Sequence, residues 1–140
     1  MSIQGLAQVQ NNITSWSKKA VDVLDRELRR GAISITSDAR RYAPYKWGAL
    51  KASINFRKIG VLSYRVEDGV HYGIHQEFGV KHSWTIKVRD KKVLTDGKDF
   101  FGKQVTHPRL KAHPFMRPAF KKNEKLIIRN IKKALRELKP

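Results

Sequence analysis

The stretch Ala43-Pro44-Tyr45-Lys46-Trp47-Gly48-Ala49-Leu50-Lys51-Ala52-Ser53-Ile54-Asn55-Phe56-Arg57 is where the hydrophobic pattern changes period. Upstream of it, Trp16, Ala20, Leu24, Leu28, Ile35, Ala39 and Tyr42 share one stripe at the helical spacing of about 100° per residue. They predict a helix over residues 15–43. Ser15 or Thr14 can cap its start by accepting a bond from an unpaired first-turn N–H. Pro44 ends it, because proline disfavours the α conformation at Ala43. Gly31 lowers helix stability and predicts a bend or break. Residues 3–10 are expected to form a short extra turn or, with the rest of residues 1–14, a mobile segment. Downstream, Leu50, Ala52, Ile54 and Phe56 alternate with Lys51, Ser53, Asn55 and Arg57, the pattern of a half-buried strand.

The alternation continues. Gly60 marks a turn, and Leu62, Tyr64 and Val66 then alternate with Ser63, Arg65 and Glu67. After the turn signal Asp68-Gly69, a third strand over 70–78 puts Tyr72, Ile74 and Phe78 on one face and His71, His75 and Glu77 on the other. Three strands on short turns predict an antiparallel meander with one face against a helix. Residues 80–108 read as a long basic hairpin arm. Trp84, Ile86 and Val88 form its outgoing strand, Asp90-Lys91-Lys92 its turn, and Val93-Leu94 the start of the return, with Asp96-Gly97 a further turn. Residues 116–138 form a second helix, with Pro118 tolerated in its first turn. Met116, Ala119, Phe120, Ile127, Ile131, Ala134, Leu135 and Leu138 make its apolar stripe. The expected fold class is α+β: a small antiparallel sheet, meander plus extended arm, packed by a long N-terminal and a C-terminal helix. One domain is expected over residues 1–140.

Composition narrows the function. With 30 Lys+Arg against 12 Asp+Glu, the 140-residue chain carries a formal charge of +18. That charge attracts polyanions: nucleic acid, anionic lipid or an acidic protein surface. The 40% hydrophobic content excludes a disordered basic tail. Apolar runs are too short for a transmembrane helix, so no membrane partner is expected. The first residues lack the basic start and apolar core of a signal peptide. The absence of cysteine removes disulfides, thiolate metal sites and Cys nucleophiles, and suits a reducing cytosol.

Half of the charge has an address. Residues 107–140 hold 11 Lys and Arg against 2 acids, a net +9. On the last helix, Lys121, Lys122, Lys125, Arg129, Lys132, Lys133 and Arg136 fall in an arc from about 140° to about 260° from Met116, with Glu124 and Glu137 outside it. Ordinary solvated faces mix signs, because like charges at i,i+4 repel. A one-sign face predicts contact with DNA or with an acidic partner. It carries no interleaved aromatic residue, so phosphate contact fits it better than stacking on single-stranded bases.

Other chemistry has weaker signals. His71, His75 and Glu77 could share a strand face, and His82, His107 and His113 lie near turns, but the spacing matches no metal-ligand signature. No metal and no cofactor are expected. Nucleophile elbows, phosphate-binding glycine loops and paired carboxylates are absent from the sequence, so no enzyme is expected. The alternative is a small basic nucleic-acid-binding module or a toxin-like ribonuclease, with His75, Glu77 and Arg117 as acid, base and phosphate clamp.

Three blocks carry a resemblance. The first is Ala43-Pro44-Tyr45-Lys46-Trp47-Gly48-Ala49-Leu50-Lys51-Ala52-Ser53-Ile54, the second Tyr72 to Val80. The third is Val105-Thr106-His107-Pro108, then Ala112-His113-Pro114-Phe115-Met116-Arg117-Pro118-Ala119-Phe120. In order and separation, over about residues 15–138, they resemble the gene-product-ten-like family of long-tailed bacteriophages and prophages. Its members are called neck, tail-completion, head–tail joining or minor tail proteins. Trp47 and Val80 stand where the family has Thr. The residues matching the family pattern are Pro44, Gly48, Leu50, Ser53, Ile54, Glu77, Gly79, Pro114, Phe115, Arg117 and Pro118. The resemblance implies a structural virion protein of the neck or tail end, assembled in the bacterial cytoplasm. It implies a homo-oligomeric ring, a hexamer, that contacts other neck and tail-end proteins around the DNA channel. Physically, Pro44 stops the helix and Gly48 permits a tight entry into the first strand. Gly79 turns the third strand, and Phe115, bracketed by Pro114 and Pro118, plugs the core. Arg117 opposes the helix dipole, so either a partner carboxylate or bulk solvent receives it.

Overall fold

The computed structural model describes residues 5–44, 48–87, 94–95 and 100–138. The fold class is α+β, with helices packed on a small antiparallel sheet. Contacts divide the chain into two compact units, residues 1–70 with 115–140 and residues 71–114.

The first unit is built on α1 (Leu6–Tyr42). This helix starts well before the expected Ser15, so residues 6–14 are helical rather than a loose lead-in. Thr14, Ser15 and Ser17 are interior residues whose hydroxyls donate to the carbonyls of Gln10, Asn12 and Thr14 at 2.8–3.0 Å. Those local bonds satisfy the groups that make such residues helix-breaking elsewhere. The helix also runs through Gly31 without a break. A Cβ there would stand 2.7 Å from Ile127 Cδ1 of α4 (Met116–Glu137), so Gly31 lets the two helices approach. Pro44 follows the C-cap Ala43, whose extended φ/ψ of −60° and 135° ends the helix as expected.

The expected strand at residues 50–57 is corrected in its first half. Gly48–Ser53 is a short helix, α2, and β1 begins at Asn55. Ala49 to Ala52 are good helix formers. Leu50 and Ile54, four apart, suit a helical face as well as an alternating one, and both are fully buried. Arg40 of α1 fixes the join. Its Nε and Nη2 donate to Ile54 O at 2.9 and 2.6 Å, and Nη2 also to Asn55 Oδ1 at 2.8 Å. β1 (Asn55–Gly60) pairs with β2 (Ser63–Glu67), Asn55 opposite Glu67 and Gly60 opposite Ser63, with an irregularity between Lys58 and Gly60. The turn is Val61-Leu62, and Leu62 takes a left-handed φ of 53°.

α1 and α4 run antiparallel, since Gly31 meets Ile127 while Asp38 bonds Asn123. Asn123 is buried, and its Nδ2 donates to Asp38 Oδ2 at 2.8 Å and to Ala119 O at 2.9 Å. Lys122 Nζ and Arg41 Nη2 reach the same carboxylate at 3.0 and 2.9 Å. On the other side of α1, Asp25 holds the hairpin. Its Oδ2 accepts from Tyr64 OH at 2.9 Å and its Oδ1 lies 2.7 Å from Lys58 Nζ.

The second unit corrects the third strand. Gly73–Phe78 is a helix, α3, not a strand, so the sheet is a two-stranded hairpin rather than a meander. Gly73, Gln76 and Glu77 face inward while Ile74 and Phe78 are exposed, the reverse of the hydrophobic reading. Gly79 ends α3, its N–H donating to His75 O at 2.8 Å. With φ 72° and ψ 179° it occupies backbone space that only glycine enters readily. The arm is present as two ladders. β3 (Trp84–Lys87) pairs with β6 (Gln104–His107), and inside them β4 (Leu94–Thr95) pairs with β5 (Phe100–Gly102). The Asp90-Lys92 and Asp96-Gly97 turns lie outside the described residues, as does Trp47.

Candidate functional site

α4 begins at Met116, as expected, with Pro118 in its first turn. Its capping residue Phe115 is fully buried and offers no side-chain bond to the helix start. That anchors one edge of α4 and turns the opposite edge to solvent. All seven predicted cations, Lys121, Lys122, Lys125, Arg129, Lys132, Lys133 and Arg136, are exposed.

The seven do not act as one set. Lys125, Arg129, Lys132, Lys133 and Arg136 line one open depression of about 560 Å³, with Ile128 and Glu137. Lys121 instead lies at an adjoining apolar groove, which shares Ile128 with that depression. Lys122 is engaged by Asp38 and sits 6.0 Å from the centroid of the Tyr42 ring. The expectation of an acid-free face is corrected at one point. Glu137 stands 3.8 Å from Lys133, on the turn below. Both groups are well exposed, so that pair stabilises little. Among the described residues, no acid lies within ion-pair distance of Lys125, Arg129, Lys132 or Arg136. Like charges four apart, such as Lys125 with Arg129 and Lys132 with Arg136, cost about 0.2–0.5 kcal/mol per pair. An anion seated among them removes that cost.

The electrostatics of the scaffold behind this face are set by two carboxylates. The hydrogen bond from Asn123, then that from Lys122, holds the Asp38 carboxyl below its ordinary range, against the opposing effect of burial. The Lys58 hydrogen bond does the same for Asp25, with Tyr64 adding to it. In return Asp25 raises the Lys58 ammonium, and burial followed by the Asp25 bond raises the Tyr64 hydroxyl.

The residues of the family pattern sort into two groups. Among the described residues, Leu50, Ile54 and Phe115 are the three largest completely buried side chains, all in the first unit. Ser53 Oγ donates to Leu50 O at 2.9 Å and closes α2. Gly48 opens α2, and a Cβ there would meet nothing, so the expected tight entry into a strand does not arise. Arg117 lies in the first turn of α4, at the edge of the apolar groove. Glu77, Gly79 and Pro114 belong to the second unit. Glu77 is buried and Gly79 is enclosed, with a Cβ there falling 2.7 Å from Leu110 O and 2.8 Å from Ala112 N.

The candidate histidine site is not assembled as read. His75 and Glu77 sit on α3, about 200° apart around the helix, His75 exposed and Glu77 buried. Among the described residues, no three His, Asp or Glu side chains converge as metal ligands. No helix among them is long and apolar enough to cross a membrane. The Asp38–Asn123 and Asp25–Tyr64 contacts escaped the sequence reading. Their partners lie far apart in the chain, and no local pattern links them. Comparison with known proteins found no matching family model, curated protein or solved structure.

Proposed function

We propose that this chain is a structural protein of a tailed bacteriophage or prophage particle, a neck or tail-completion component that helps join head and tail around the DNA channel. The ordered set of three sequence blocks carries this reading. Two properties of those blocks support a scaffold role. Their apolar members Leu50, Ile54 and Phe115 are wholly buried, and Gly79 occupies a place no other residue fits. Residues that carry chemistry would instead converge on an open pocket. The chain acts as a homo-oligomeric ring, a hexamer, in the virion, with no catalytic step and no cofactor.

The depression on α4 is the contact surface of this assembly. Its five cations and single acid suit anions without reading sequence. Phosphates along the DNA path and carboxylates on a neighbouring ring both offer that chemistry. Salt-dependent duplex binding by the isolated protein separates the two. The reading as a nucleic-acid module would instead need tight, sequence-specific binding that survives raised salt. The ribonuclease reading would need RNA cleavage that fails in His75→Ala. The decisive test is complementation of a particle-forming strain with Lys125→Glu, Arg129→Glu and Lys132→Glu together. The triple variant is expected to fold normally and to leave particles incomplete. A normal yield of infectious particles would overturn the proposal.

A further inference from the structure

Two apolar features of the first unit lack a partner among the described residues. The first is on α1. Leu6, Val9, Ile13 and Trp16 recur at spacings of three and four, and are 61%, 53%, 62% and 37% exposed. The antiparallel register puts the end of α4 level with about residue 22 of α1, so this stripe projects about 20 Å beyond it. The second is a groove of about 1080 Å³ between the β1–β2 hairpin and α4, floored by Leu28 and Ile35 and walled by Ile59, Val66, Phe120 and Ile131. That volume reaches the top of the range for ligand pockets, enough for a row of side chains. The turn beside it holds Leu62, also a lining residue, in a left-handed conformation that disfavours a non-glycine residue.

A copy cannot fill its own groove. α1 is one continuous helix, and Trp16 stands about 18 Å along its axis from Leu28. The charge distribution selects the occupant. In a chain of net +18, most faces repel a second copy, yet the first 17 residues contain no Asp, Glu, Lys or Arg. The groove rim carries Arg65 and Lys121 against Glu124. It disfavours a cationic helix and accepts an uncharged one. We propose that the apolar stripe Leu6–Trp16 of one copy docks in the groove between the β1–β2 hairpin and α4 of the next. Stripe and groove are different surfaces, so one copy can use each with a different neighbour, and the contact repeated head to tail closes a ring or extends a filament. This supplies the interface for the homo-oligomer proposed above and rests on that reading for ring closure.

The test uses the full-length chain in analytical ultracentrifugation, with Ile13→Asp in the stripe and Phe120→Asp in the groove. Both positions are more than half exposed, and thermal melts establish that the variants fold; Ile59→Lys replaces Phe120→Asp if that variant does not. The wild type is expected to form assemblies larger than a dimer, more strongly as salt screens the like charge. Each variant alone is expected to be monomeric. An equal mixture is expected to give a dimer and nothing larger, joining the one intact stripe to the one intact groove. A monomeric wild type overturns the proposal, as does a mixture that fails to pair. Assemblies that survive Phe120→Asp but not Ile13→Asp overturn it in favour of stripes pairing with each other. Assemblies that survive both variants overturn this interface and leave the virion role to the particle assay. If the chain assembles as described but is missing from particles, only the virion role fails.

Discussion

Gly31 shows how one missing side chain sets the distance between two helices. Its helix-propensity cost, about 1 kcal/mol against Ala, is offset because a Cβ there would stand 2.7 Å from Ile127 Cδ1 and 2.8 Å from Cγ1. Gly31→Val is therefore expected to destabilise the fold by about 1–3 kcal/mol through overpacking. The same change in an Ile127→Ala background is expected to cost much less, a coupling that urea unfolding of the four proteins measures. Asp38 gives a pH signature. Its carboxyl is held low in the folded state by Asn123 and Lys122. Its contribution is therefore fully present above the unfolded value of about 3.9 and is lost as pH falls through the lower folded value. Asp25, held low by Lys58 and Tyr64, adds in the same direction. Asp38→Asn is expected to flatten the acid limb of a stability–pH curve while leaving its alkaline limb unchanged. An unaltered acid limb would show that this carboxylate does not join α1 to α4.

At the scale of elements, the ends of helices decide most of what happens. α3 exists because Gly79 can take φ 72° and ψ 179° and return its N–H to His75. Gly79→Ala is expected to cost of order 1–3 kcal/mol from backbone conformation alone, with the clash on Leu110 O in addition. Hydrogen exchange reads its location. The amides of Val80 and Leu110, which pair at 2.8 and 3.2 Å, should exchange faster, while those of α1 and α4 keep their protection. The sequence made the two long helices legible because each repeats its apolar stripe over many turns, and the β1–β2 hairpin because its alternation was regular. It misplaced α2 and α3 for a physical reason. In six-residue elements, apolar residues at i and i+4 satisfy both periods, and α3 turns a glutamate and a glutamine inward while exposing Ile74 and Phe78. Gly79 after Glu77-Phe78 was the available signal of a helix end. The start of α1 was missed because its hydroxyl residues read as a cap, although in the helix they bond backward to carbonyls.

At the scale of the whole molecule, the basic face and the charge-free stripe occupy different helices. Five cations line the depression on α4 and the stripe opens α1, while the groove proposed to receive that stripe meets the depression at Ile128. The basic face was readable from the helical wheel, though only the fold separates Lys121 and Lys122 from the other five. Duplex binding, if phosphate is the anion met, is expected to weaken steeply with salt. The triple reversal of Lys125, Arg129 and Lys132 should reduce the slope of log affinity against log salt by about 0.9 for each phosphate no longer neutralised. The most direct measurement of the central claim is antibody-gold labelling of this chain on purified tailed particles from the strain that encodes it, viewed by electron microscopy. Label at the junction of head and tail is the expected result. Intact particles that carry no label, and from which the chain is missing by mass spectrometry, would contradict the account.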